Sequence, residues 1–188
     1  MTYTDSGTGL TYDDYLLFPD DGLRHELIGG EHFVSPAPNR PHQAILMNVG
    51  GMIWTYLQAH PIGRVYMAPF DIILSTQDIV QPDLVYFSLQ RMSELEMDPR
   101  VKGAPNLIVE IASPSTRRRD RTTKRLLYGR FGVDEYWIVD PREQRIDVLR
   151  RGGSPFRPAA ELSLTNRDVL TTPLLPDAQL PLTTIFRE

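Results

Sequence analysis

Leu107-Ile108-Val109-Glu110-Ile111-Ala112 is a short apolar run that carries a single carboxylate. Runs of this length that are rich in Val and Ile are typical of buried β-strands. A basic segment over 117–131 with helical spacing follows, and then a second apolar run at 135–139. Strand, helix and strand in this order form a right-handed crossover, in which the two strands are parallel. The stretch therefore predicts the centre of a mixed α/β (α+β) fold.

The same patterns predict the elements around this centre. We expect a first helix over 11–18 with Thr11 and Asp14 in a capping box, and a hairpin over 24–34 that turns at Gly29-Gly30. The other predicted elements are a long amphipathic helix at 42–60, strands at 64–68, 71–74, 80–87, 107–111, 135–139 and 145–150, and a helical turn near 93–96. We expect the tail from residue 151, rich in Pro and Leu, to wrap the sheet edge.

Composition limits the class of protein. The chain has 188 residues, 41% of them hydrophobic and 23% charged, which predicts one soluble domain over 1–188. It has no apolar run of transmembrane length and no signal-peptide pattern, so we expect a cytoplasmic protein without membrane contact. With no cysteine, disulfides and Cys-based zinc sites are excluded. A net charge of −4 argues against wholesale coating of nucleic acid, but it allows a local basic face.

Two carboxylates stand in apolar strand-like runs, Asp83 after Pro82 and Glu110 in the central run. An ionised carboxylate is costly to bury unless it is paired or binds a metal. Two of them on adjacent strands, facing the same side of a sheet, predict a divalent-metal site. Mg²⁺, with Mn²⁺ as a possible substitute, is the ion that such a small carboxylate set suits.

The helix over 117–131 carries the candidate for the positive charge at this site. Asp120, Lys124 and Tyr128 fall at i, i+4 and i+8 and therefore share one face. An ammonium group there would polarise the water or stabilise the transition state of phosphodiester hydrolysis. The alternative is that Lys124 belongs to an exposed pair with Asp120.

Two further features point to nucleic-acid binding. They are the arginines of this strongly basic helix and His42, which lies near the predicted start of the long helix. The candidate nucleic-acid-binding residues are Arg117, Arg118, Arg119, Arg121 and His42. A solvated helix face explains the arginines equally well, and a capping role near a helix start explains His42. No Ser-His-Asp order and no glycine-rich phosphate loop is present, which disfavours a metal-free hydrolase or a nucleotide-dependent enzyme.

An ordered set of motifs runs through nearly the whole chain. It comprises Glu26-Leu27-Ile28-Gly29-Gly30-Glu31, Ser35-Pro36-Ala37-Pro38 before His42, Pro82-Asp83, Val109-Glu110-Ile111-Ala112-Ser113-Pro114-Ser115-Thr116, Asp120 with Lys124 and Tyr128, and Gly132-Val133-Asp134-Glu135-Tyr136-Trp137-Ile138-Val139-Asp140-Pro141. In this set the chain resembles the Uma-type restriction endonuclease family, a bacterial branch of the PD-(D/E)XK nuclease superfamily.

The resemblance implies a restriction-endonuclease-like core, a mixed β-sheet flanked by helices. It implies that Asp83 and Glu110 are the metal ligands and that Glu26 is an additional acidic residue of the site, although Glu26 could instead pair with Arg24 or Lys102. The superfamily's lysine normally stands two residues after the second acid, where this chain has Ala112. The family resembles one in which the lysine has moved to the following helix, which implies a catalytic role for Lys124.

Three functions follow as hypotheses. The first is a Mg²⁺-dependent endodeoxyribonuclease that cuts DNA by attack of a metal-activated water, working as a homodimer because a two-fold pair of sites suits a duplex. The second is a catalytically inactive module of the same fold that binds nucleic acid or mediates assembly. The third is a nuclease directed at RNA.

Overall fold

The computed structural model describes residues 9–95, 100–152 and 156–187. Within these ranges the helices are α1 (Tyr12–Tyr15), α2 (Arg40–Ala59), α3 (Leu89–Glu94), α4 (Arg117–Arg119), α5 (Arg125–Phe131) and α6 (Leu182–Ile185), and a π-helical turn (Asp120–Lys124) joins α4 to α5. The strands are β1 (Arg24–Ile28), β2 (Glu31–Ser35), β3 (Gly63–Met67), β4 (Ile72–Ser75), β5 (Asp78–Val80), β6 (Leu84–Ser88), β7 (Val101–Lys102), β8 (Leu107–Ile111), β9 (Glu135–Asp140), β10 (Arg145–Arg150), β11 (Arg157–Ser163), β12 (Val169–Thr172) and β13 (Leu175–Pro181).

Three sheets are formed by these strands. The six-stranded sheet has the order β11-β10-β9-β8-β6-β3, the five-stranded sheet has the order β2-β1-β5-β4-β7, and β12 and β13 form a ribbon. In the six-stranded sheet β8 and β9 are parallel and the other neighbours are antiparallel. The predicted parallel pair at the centre of a mixed sheet is confirmed.

The local sequence explains where several elements begin and end. Gly29 and Gly30 have φ angles of +59° and +76°, which L side chains rarely adopt, and they turn β1 back into β2. At the start of α2, the side chain of Asn39 accepts a hydrogen bond from the backbone N–H of His42 at 3.1 Å. Gly132, with φ of +85°, ends α5 in the left-handed conformation.

The central strands of the six-stranded sheet are buried on both faces. Leu107, Val109 and Ile111 of β8 pack into a cluster with the apolar side of α2. Ile108 points the other way, into a cluster that contains Tyr128 of α5. Because side chains alternate along a strand, Glu110 lies on the same face as Ile108, beneath the α4–α5 helix.

The predicted strand at 80–87 is wrong as a continuous element. It is divided into β5, which belongs to the five-stranded sheet, and β6, which belongs to the six-stranded sheet. Pro82 has no N–H to donate to a ladder, and this favours a break. Asp83 therefore lies at the point where the chain crosses from one sheet to the other, immediately before β6.

The tail from residue 151 is more regular than predicted. β11 pairs with β10 at the edge of the six-stranded sheet, as expected of a segment that wraps the edge. The ribbon of β12 and β13 then places Leu170, Leu175 and Leu180 in the cluster on the α2 side. The predicted turn near 93–96 overlaps α3, and residue 96 lies outside the described ranges. No helix formed by the described residues is both long and apolar enough to span a membrane.

Candidate active site

The register of two antiparallel strands brings the two predicted carboxylates together. Leu84 pairs with Val109 and Val85 pairs with Ile108, so extending this register by one residue beyond the start of β6 places Asp83 opposite Glu110. Residues directly opposite each other project to the same face of a sheet. Asp83 is 1% exposed and Glu110 is 4% exposed. The two carboxylates are therefore neighbours in a buried environment.

Both carboxylate oxygens of Asp83 are bonded to neighbouring side-chain or backbone nitrogen atoms. Oδ1 accepts from Nη1 of Arg24 at 2.6 Å and lies 3.1 Å from Nε2 of His42. Oδ2 accepts from the backbone N–H of Ile111 at 2.7 Å. Burial acts to raise the pKa of Asp83, but the bond and charge of His42, the charge of Arg24 and the Ile111 bond outweigh it, and the pKa lies below its usual value. Asp83 is thus held ionised.

Lys124 bridges two carboxylates that come from different sheets. Its Nζ donates to Oε1 of Glu110 and to Oε1 of Glu26, both at 2.8 Å. The hydroxyl of Tyr128 donates to the same oxygen of Glu110 at 2.7 Å. Because Lys124 is 3% exposed and Asp120 is also buried, the alternative of an exposed Asp120–Lys124 pair is wrong.

The pKa values of both Glu110 and Lys124 are raised in this cluster. Burial raises the pKa of Glu110 to about 8, helped by the nearby Asp120, Asp83 and Glu26 and opposed by Lys124. Burial alone would lower the pKa of Lys124, but the carboxylates of Glu110, Glu26 and Asp120 raise it above its usual value. Lys124 therefore stays charged at neutral pH.

Glu26 is placed in the site by the hairpin that the glycine turn creates. In addition to Lys124, its Oε1 accepts from the backbone N–H of Gln81 at 3.0 Å, and Oε2 lies 3.5 Å from Nη2 of Arg119. Of the two alternative partners for Glu26, Arg24 makes no hydrogen bond to its carboxylate. Arg24 instead bonds to Asp83. Sequence reasoning missed this role of Arg24, although a strand places residues i and i+2 on one side.

A π-helical turn forms the part of the helix between Asp120 and Lys124. Such turns are rare and occur frequently at functional sites. Lys124 and Tyr128 reach Glu110 as the predicted common face requires, but the two carboxylate oxygens of Asp120 are buried without a hydrogen bond among the described residues. The hydroxyl of Tyr136 donates to the backbone carbonyl of Asp120 at 3.2 Å. No sequence signal predicts the π turn.

Two of the four predicted nucleic-acid-binding arginines are engaged by acidic residues of the β9–β10 region. Arg117 is bonded to Asp140 at 2.9 Å and to Glu143, and Arg121 is bonded to Asp147. These ion pairs satisfy part of the positive charge of the helix within the protein.

The other two arginines differ from each other. Nη2 of Arg119 donates to Oγ of Ser35 at 2.9 Å, and its guanidinium lies 4.8 Å from the ring centroid of Phe33. Arg118 is exposed, and its side chain has no ion pair within the described ranges. Arg119 therefore joins the candidate site, whereas Arg118 projects into solvent.

Most of the predicted site residues line one pocket. It has a volume of about 630 Å³ and is walled by the loops at 35–42 and 111–117 and by residues 140–142. The predicted residues that line it are Glu26, His42, Asp83, Glu110, Arg117, Arg119 and Lys124. Arg118 and Arg121 do not line it. The four predicted catalytic residues, two of which are the proposed metal ligands, therefore line one cavity.

The donor chemistry of this cavity suits a hard divalent cation. Within the described part of the chain no three His, Asp or Glu side chains form a ready-made metal cluster. Mg²⁺, however, is commonly held by one or two carboxylates, with waters and substrate phosphates as the other ligands. Asp83 and Glu110 meet that requirement, and the hydrogen bonds to Glu110 from Lys124 and Tyr128 use only Oε1.

Comparison with known proteins agrees with this fold. A crystal structure described as a "putative nuclease belonging to DUF820" from Anabaena variabilis superposes with a TM-score of 0.76 at 22% identity, and covers 94% of this chain and 97% of that one. No curated protein is significantly similar to the chain. The family model named Uma2 and described as "Putative restriction endonuclease" matches residues 12–183. The chain therefore belongs to the Uma2 family.

Proposed function

We propose that this protein is a Mg²⁺-dependent endonuclease that hydrolyses phosphodiester bonds of DNA. The observation that carries the proposal is the convergence of Glu26, Asp83, Glu110 and Lys124 on one buried pocket from separate elements. Isolated buried ionisable groups are costly, so four of them in one place are typical of a functional site. The membership in the Uma2 family supports the nuclease class.

Asp83 and Glu110 are the residues that would hold the ion. Mg²⁺ bound there would supply a Lewis acid and a water of lowered pKa. Arg24, His42 and the backbone N–H of Ile111 hold Asp83 ionised and fix its orientation. Tyr128 orients Glu110 through its bond to Oε1.

Lys124 acts as a fixed positive charge in this proposal. Its raised pKa means that it donates hydrogen bonds and does not accept a proton from water. A preorganised ammonium group in a water-poor cavity stabilises the negative charge that builds on phosphoryl oxygens. Glu26 supports it by holding Nζ beside Glu110. Arg119 and Arg117, at the pocket wall, supply charge for the flanking phosphates.

Cleavage of labelled DNA by purified protein in Mg²⁺ or Mn²⁺ tests the proposal. We expect metal-dependent cutting that Asp83→Ala abolishes. Asp13→Ala removes an exposed carboxylate far along the chain from the site and is the matched control, which should cut as the wild type does. Retained cutting by Asp83→Ala would show that the assignment is wrong.

A second candidate is the nuclease-fold module that binds DNA without cutting it. It is favoured by the fact that both oxygens of Asp83 are already bonded inside the protein and that Ala112 occupies the superfamily's lysine position. This candidate requires DNA binding with a steep salt dependence and no turnover with any metal. Cutting that is lost in Asp83→Ala would eliminate it.

A further inference from the structure

We infer that the pocket accepts an unpaired DNA strand and excludes a continuous duplex. The inference rests on the proposed nuclease function and names the substrate class of the same site. Three features of the pocket carry it: the burial of the acidic and basic groups, the size of the cavity, and the bracing of its walls.

The groups assigned to chemistry lie below the protein surface. Glu26, Asp83, Glu110 and Lys124 are all buried, and the pocket is the space through which they are reached. The phosphates of a continuous duplex lie on a wide, stiff rod, which can present them only to groups in an open cleft. A single strand is flexible and can turn one phosphate toward the buried groups of this pocket.

The cavity is of small-molecule size. Its volume of about 630 Å³ falls within the range of pockets that enclose one drug-sized ligand. A nucleotide is a ligand of about that size. It does not accommodate the two strands of a base-paired segment.

Prolines, an ion pair and a hydrogen bond hold the walls of the pocket in place. Proline has a fixed φ and stiffens a loop, and five prolines line the pocket: Pro36, Pro38, Pro41, Pro114 and Pro141. Ion pairs and hydrogen bonds then tie the walls to one another. Arg117 joins the start of α4 to Asp140 at 2.9 Å, and Arg119 joins the same helix to Ser35 at 2.9 Å. Both links join walls of the pocket, so moving these walls apart would break them.

The lining is suited to a sugar–phosphate backbone. Among the described residues that line the pocket the only aromatic ring is the imidazole of His42, whose Nε2 lies 3.1 Å from Asp83, and no Phe, Tyr or Trp is available there for stacking a base. Besides the four groups assigned to chemistry, the polar lining includes the arginines Arg24, Arg117, Arg119 and Arg142, several hydroxyl groups, and one further acid, Asp140. Arginines and hydroxyls contact phosphate oxygens without reading sequence. We therefore expect recognition of the strand through its backbone, with little sequence preference.

The test is fluorescence anisotropy with one oligonucleotide sequence offered as a single strand and as a blunt duplex, in Ca²⁺ to limit hydrolysis. We expect the affinity for the single strand to be at least about ten times higher than the affinity for the duplex. Equal binding of the two forms, or tighter binding of the duplex, would overturn the inference.

A pair of variants tests whether the strand enters this pocket. Arg142 is exposed at the rim, so Arg142→Gln carries little folding risk, and it should weaken single-strand binding and reduce the salt slope by about 0.7. Arg64→Gln removes an exposed arginine of β3 that does not line the pocket and should leave both quantities unchanged. Equal effects of the two variants would contradict the assignment to this pocket.

Cleavage of the same oligonucleotides in Mn²⁺ separates this inference from the proposed function. Preferential binding of the single strand without cutting supports the strand inference and removes the nuclease activity. Equal cutting of the duplex and the single strand retains the nuclease activity and overturns the strand inference.

Discussion

The ammonium nitrogen of Lys124 lies 2.8 Å from Oε1 of Glu110, although the residues are fourteen positions apart and belong to a helix and a strand. The crossover between β8 and β9 produces this contact, because the helix packs back over the face of β8 on which Glu110 lies. In the nuclease superfamily that the sequence resembles, the lysine is expected two residues after the second acid, where this chain has Ala112. In this chain a lysine from the following helix reaches that acid instead.

Replacing Lys124 should destabilise the protein. Lys124→Met leaves Glu26 and Glu110 without their shared cationic partner in a buried site, and breaking such a pair typically costs about 3–5 kcal/mol of the free energy of unfolding. Urea denaturation measures the loss. The double variant Lys124→Met/Glu110→Gln should recover part of it. A loss as small as that of an exposed lysine would contradict the buried bridge.

The stability of the metal-free protein should fall with pH because of Glu110. Its pKa in the folded state is raised to about 8, above the value in the unfolded chain, so the folded state binds more protons between the two values. The stabilisation from protonated Glu110 is full below the unfolded pKa and is lost as pH rises through the folded one. Glu110→Gln lacks this loss. Urea unfolding of both proteins in chelator should show the wild type weakening relative to Glu110→Gln as pH approaches 8. Parallel pH profiles would contradict the raised pKa.

His42 should affect acid tolerance through Asp83. The pKa of Asp83 is lowered in the folded state, so its stabilisation is present above the unfolded pKa and is lost as pH falls through the folded one. Without His42 the pKa of Asp83 rises and the loss begins at higher pH. Acid unfolding followed by circular dichroism should therefore show a higher midpoint pH for His42→Ala than for the wild type. His60→Ala, which removes an exposed histidine, is the control. Identical midpoints for His42→Ala and the wild type would show that the bond to Asp83 is unimportant.

Local patterns predicted the parts of the site that depend on periodicity. The apolar run around Glu110 is β8, and the spacing of Lys124 and Tyr128 brings both to Glu110. The spacing of residues along the chain determines which side chains share one face of a helix or strand. These features can therefore be derived from the sequence without knowledge of the tertiary structure.

Other parts depend on contacts between segments that are distant along the chain. Arg24 bonds to Asp83 from 59 positions away, and Arg119 bonds to Ser35 from 84 positions away. The π turn at Asp120–Lys124 adjusts the helix to its packing, and no residue type signals it. The strand β13 was missed because it contains two prolines, which lower strand propensity. The single domain over 1–188, the homodimer and the cytoplasmic location stay predictions.

Calorimetric titration of Mn²⁺ tests the central claim, which is that Asp83 and Glu110 form one metal site. Mn²⁺ is preferable to Mg²⁺, since Mg²⁺ keeps its waters and binds weakly without substrate phosphates. The account predicts binding to the wild type and to Asp13→Asn, and no binding to Asp83→Asn or Glu110→Gln. Binding that survives both substitutions, or no binding to the wild type, would contradict it.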